Sequence, residues 1–127
     1  MGAAVLSVVA IGLLCARSQR DAEFYQLHGV RLQRDLGFKH GSPYVRVGGS
    51  TREVMTIDEV VPDGPFARAG IQPADIVLDP KSIDSLYRAL EGARGATLQI
   101  TVVPGGDGPP LEERQARTLT LEVPTAG

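Results

Sequence analysis

Side-chain chemistry in this chain rests on few groups: two histidines, one cysteine and some neighbouring polar residues. His40-Gly41-Ser42 puts an imidazole two positions from a hydroxyl, a pairing that nucleophilic catalysis uses. A serine nucleophile also needs a third group to orient its base. None stands nearby, and the stretch reads as a loop. Asp58 and Glu59 are neighbours on an apolar, β-prone run. Consecutive strand residues face opposite ways, so the two carboxylates diverge and do not form an acid–base pair. His28 and His40 are too few for a histidine-based metal site without carboxylates around them. Cys15 stands alone, which excludes an intramolecular disulfide and a cysteine-rich metal site. Gly105-Gly106-Asp107-Gly108 precedes no helix carrying Lys-Ser/Thr, so it is no phosphate cradle. No Gly-x-Ser-x-Gly elbow and no His-Glu-x-x-His helix is present. The expectation is a protein without catalytic activity, metal or cofactor, whose chemistry is recognition.

The elements that must carry that recognition follow from periodicity. Residues 21–28 read as a connector, partly helical. Gly29 to Arg34 alternates, which predicts a first strand with Val30 and Leu32 inward. Tyr44 to Val47 reads as a strand, and Gly48 to Thr51 as a turn into the next, so 44–57 is expected as a hairpin. Ser82 is placed to cap a helix with Asp84 in its first turn. Ile83, Leu86, Tyr87 and Leu90 share one helical face. Leu98, Ile100 and Val102 alternate, as do Leu119, Leu121 and Val123. They predict two paired strands joined by a long solvated loop rich in Gly and Pro.

The most informative stretch is Glu53 to Asp79. Met55, Ile57, Val60 and Val61 form a β-rich run, and Pro62-Asp63-Gly64 ends it with turn residues. Pro65 suits the first position of a short helix, and Gly70 suits its left-handed stop. A second turn, Ile71 to Asp75, leads into Ile76-Val77-Leu78. This order, from Val60 to Leu78, resembles the PDZ domain, in particular the bacterial PDZ modules of high-temperature-requirement proteases and membrane-anchored envelope proteins. The resemblance spans roughly residues 29–125. It implies an α+β fold: a small, partly open β-barrel or sandwich of five to six strands, with one short and one longer helix.

The resemblance also implies a site. PDZ domains hold a partner's C-terminal carboxylate on main-chain N–H groups of an apolar-Gly-apolar loop, met here by Leu36-Gly37-Phe38. Such a nest holds an anion without charged side chains, and glycine allows the curvature. Arg31 or Arg34 would assist. The peptide would add as a strand along Phe38, Lys39 and His40, with Ile83 and Tyr87 of the longer helix on its other flank. Leu36 and Phe38 would line the terminal side-chain pocket. Three departures from the family pattern bear on this site. Ala74 stands where a glycine usually precedes the turn aspartate. Only about four residues separate Leu78 from the helix, which brings the helix closer and narrows the groove. Pro43 limits the accepting edge to Phe38–His40.

Thirteen basic and fifteen acidic residues give a net charge of −2, with no basic stripe, so nucleic acid is not an expected partner. Residues 1–20 are set apart. Gly2 to Ala16 is an apolar run broken only by Ser7, and Arg17 and Arg20 follow it. We read an N-terminal apolar helix acting as an uncleaved, single-pass membrane anchor; the alternatives are a cleaved export signal and a buried core helix. The arginines favour a cytoplasmic domain, whereas the resemblance favours the extracytoplasmic face. The combined expectation is a tethered adaptor that binds a protein's C-terminal peptide. Its rivals are a docking component of a protease system that takes unfolded tails, and a structural part of a secretion or envelope assembly.

Overall fold

A computed structural model describes residues 23–47 and 50–126. Residues 23–36 form helix α1 and not a connector followed by a strand. Phe24, His28, Leu32 and Leu36 recur every four residues, which lines them along one helical face. Leu32 and Leu36 are fully buried, whereas Val30 is 70% exposed on another face. The short Val30/Leu32 alternation is therefore overridden by the longer helical spacing. Gly29 is buried in mid-helix because the Tyr25 ring lies over it; a Cβ there would come 2.8 Å from that ring.

Seven strands follow: β1 Phe38–Gly41, β2 Tyr44–Val47, β3 Ser50–Glu53, β4 Met55–Val60, β5 Ile76–Asp79, β6 Thr97–Val103 and β7 Arg117–Glu122. Five make an antiparallel sheet in the order β1-β4-β5-β6-β7 that does not close. The fold is α+β. The expected 44–57 hairpin is shorter than its prediction. β2 and β3 pair only with each other, Tyr44 opposite Glu53, and β4 is a separate strand that pairs with β1.

The Val60–Leu78 stretch folds as its residues dictate. Helix α2, Pro65–Ala69, starts on its proline and stops at Gly70, whose φ is +95°. The Ile71 N–H then closes back on the Phe66 carbonyl at 3.1 Å. Helix α3, Ile83–Gly92, is capped by Ser82, whose Oγ accepts the Ser85 N–H at 3.0 Å. Leu86, Tyr87 and Leu90 turn inward and meet Phe38, Ile57, Phe66 and the inner residues of β6 and β7. The Phe38 and Phe66 rings stack with centroids 4.1 Å apart.

The β6–β7 connection is not merely a solvated tip. It forms a 3-10 turn at Leu111–Glu113, and Leu111 packs against a second apolar cluster of Val54, Ile76 and Val103. Gly105 passes so close to the Ala74 carbonyl that a Cβ would overlap it. No helix among the described residues is long and apolar enough to cross a membrane. The proposed apolar N-terminal helix lies outside the described residues.

Candidate functional site

β1 is one edge of the five-stranded sheet. The Val61 N–H donates to the Gly37 carbonyl at 2.9 Å, and Phe38 lies opposite Val60. In an antiparallel ladder that bond flanks a wide pair, so the N–H and C=O of Phe38 point away from β4. They face the side of β1 on which no described strand lies.

The three N–H groups expected to receive a carboxylate are not equally placed. Leu36 is in the last turn of α1, where its N–H belongs to the helical ladder. The Gly37 N–H donates to the Gln33 carbonyl at 2.8 Å. Gly37 has φ +72° and ends α1 in the left-handed conformation. Phe38 alone keeps an N–H turned to the open edge.

Three of the expected side chains meet at this edge. Phe38 and Tyr87 are 2% and 1% exposed, with ring centroids 6.0 Å apart. The Tyr87 hydroxyl lies 2.7 Å from Nδ1 of His40. That hydroxyl also accepts from Gln33 Nε2 at 2.7 Å, and Gln33 Nε2 donates to the Tyr25 hydroxyl at 3.1 Å. With Gln33 as donor, the Tyr87 hydroxyl keeps its own proton, and Nδ1 of His40 accepts its hydrogen bond when the ring carries its proton on Nε2. The Tyr25 ring sits edge-on to both Tyr87 and His40, at 5.2 and 6.1 Å. Burial pushes the Tyr87 hydroxyl far above its usual pKa, and burial lowers that of His40 against an opposing pull from Asp58. Both groups are therefore held neutral. The space between β1 and α3 is filled by the chain's own side chains.

The other expected residues stand apart. Lys39 faces outward and pairs with Glu59 at 3.4 Å. Arg34 is 74% exposed and lies 3.7 Å from Asp35. With Lys39, Val30, Phe38 and Val61 it borders a cavity of about 310 Å³ beside β1. Arg31 turns back along α1 toward the Leu27 carbonyl. Ile83 packs against the core rim and borders a different cavity of about 320 Å³, with Lys81, Asp84 and Glu53. A shallower cleft of about 660 Å³ lies across the sheet, between the 104–114 loop and the Thr56, Asp58 and Ile76 side of β4 and β5.

Tyr25 and Gln33 are the site residues that the sequence reading missed. A strand over 29–34 hides the i, i+8 relation that puts both on one side of α1. A second seam holds this helix in place: Phe24 lies under the Arg88 guanidinium, His28 lies 4.0 Å from Glu91, and Arg94 bonds Asp35 at 2.9 Å. No protein-family model matches the chain, and no curated protein matches it.

Proposed function

We propose that this chain is a PDZ-like protein-interaction module that adds a partner's C-terminal strand to the free edge of β1. The observation that carries the reading is the outward-turned main chain of Phe38 on an edge strand, next to α3. A strand laid there completes main-chain hydrogen bonds that β1 leaves open, and the cavity bordered by Val30, Arg34, Phe38 and Val61 offers a side-chain pocket beside it. Further support comes from the order of elements. From β1 onward, the strand before the short helix, its glycine stop, β5 and the longer capped helix stand in the succession that the PDZ resemblance implies, with α1 in place of the strand expected at 29–34. The apolar Gly2–Ala16 segment is read as the tether, with the module on the extracytoplasmic face of a bacterial membrane.

The test is a binding assay on the full chain with a library of free C-terminal peptides and their amidated counterparts. Tighter binding of the free-carboxylate forms supports the reading, and a Gly37→Val variant that loses it points to the β1 entry. No binding by either form removes it. A second reading is favoured by the burial of Tyr87: a component of a secretion or envelope assembly whose groove stays shut and which docks by another face. It predicts a tight partner that needs no free C-terminus.

A further inference from the structure

We propose that α1 is a built-in lid, which keeps the β1 edge closed until its last turns move away. The inference rests on the strand-addition reading and specifies how that site is regulated. Two independent observations converge on Gln33. Its carbonyl takes the Gly37 N–H, one of the donors a carboxylate nest would need. Its side chain ties the Tyr25 hydroxyl on α1 to the Tyr87 hydroxyl on α3. Tyr87 in turn reaches His40 on β1. A peptide strand between β1 and α3 must break this chain of bonds, and a bound carboxylate must compete with Gln33 for Gly37. One movement, unwinding the end of α1 around Gln33, releases both.

The lid has a feature suited to release. Gly29 carries no side chain under the Tyr25 ring, so the ring packs close against α1 and meets Tyr87 edge-on. The bonds that must break at the end of α1 are the Gly37-to-Gln33 main-chain bond and the Gln33 and Tyr87 side-chain bonds, while Phe24, His28 and Asp35 keep α1 anchored to α3 and Arg94; an added strand offers main-chain bonds along β1 in exchange. The competition between an internal cover and a partner strand is a population shift: the apparent affinity falls by the fraction of molecules that are open.

The experiment compares the full wild-type chain with three variants. Tyr25→Ala removes the ring, Gly29→Ala places a methyl beneath it, and Tyr87→Phe removes the central hydroxyl. Peptides with free C-termini are selected on wild type and on Tyr25→Ala, and each is then measured against all four proteins. The expected result is binding roughly tenfold tighter for the variants, the gain set by how rarely the wild type is open. Peptide binding to wild type should also speed amide exchange in the last turns of α1, residues 29–36. Equal affinity in all four proteins, with unchanged exchange in α1, overturns the lid and leaves the edge site standing. No peptide binding by any of the four overturns the edge site itself, and the lid with it. Gly29→Ala guards against a folding artefact, because alanine favours a helix over glycine.

Discussion

The Tyr87 hydroxyl, 2.7 Å from Nδ1 of His40, joins α3 to β1 across the space that an added strand would enter. Gln33 reaches the same hydroxyl from α1, so three elements meet at one oxygen atom. Tyr87, expected to flank a bound peptide, ties these three elements together through its hydroxyl. Replacing Tyr87 by Phe keeps the ring in the core and removes that tie. The loss should be about 1–2 kcal/mol, since His40 and Gln33 lose a partner in a buried setting. Urea unfolding of both proteins measures it; an unchanged midpoint would mean that the hydroxyl is already solvated.

Acid should weaken the same contact. Burial lowers the His40 pKa below its ordinary 6.5, and Asp58 offsets only part of that; the other titratable groups around the ring are Tyr25, edge-on to it, and Tyr87, whose hydroxyl meets Nδ1. The unfolded chain therefore takes up this proton at higher pH than the folded one. The stability His40 contributes is complete above its unfolded pKa and is lost as pH falls through the lowered folded value. Unfolding free energies for wild type and His40→Gln, compared between about pH 7.5 and about pH 5, should converge toward the acid end. A constant difference would remove His40 from the account.

Ala74 is held at φ +75°, a left-handed conformation that costs a residue with a Cβ about 1–2 kcal/mol. Its N–H still donates to the Ile57 carbonyl at 2.7 Å, a bond glycine keeps. Ala74→Gly should therefore stabilise the protein by about 0.5–1 kcal/mol after the added freedom of the unfolded chain is counted. Thermal unfolding would show a higher midpoint. A lower one would mean that the Ala74 methyl makes packing contacts worth more than the strain.

Gly70 gives the converse case. Its φ is +95°, and the nearest atom to a Cβ there is a Leu119 methyl at 4.0 Å. Space is ample, so Gly70→Ala should cost only backbone strain, about 1 kcal/mol. A larger loss in urea unfolding would show that α2 cannot end without glycine.

Local rules with one strong residue at each step were legible from the sequence. Pro65 and Gly70 bracket α2, Ser82 caps α3, and β6 pairs with β7, with Leu98 opposite Leu121 and Ile100 opposite Leu119. The errors came where two patterns overlapped. Val30 and Leu32 alternate over too few residues to outweigh the four-residue spacing from Phe24 to Leu36. The expected hairpin runs to residue 57 because nothing local in Glu53-Val54-Met55 says that one sheet ends and another begins. Leu36-Gly37-Phe38 marks the entry to β1, but which carbonyl takes the Gly37 N–H depends on α1. Tyr25 and Gln33 carry no motif; only the register of α1 brings them to Tyr87.

The most direct test of the account is residue-resolved amide hydrogen exchange on the full chain, with and without a saturating free C-terminal peptide. The account predicts slowed exchange at Phe38 and along β1, with faster exchange in α1 as the lid lifts. Slowing confined to the cleft beneath the 104–114 loop, with β1 unchanged, would place the partner elsewhere and contradict it.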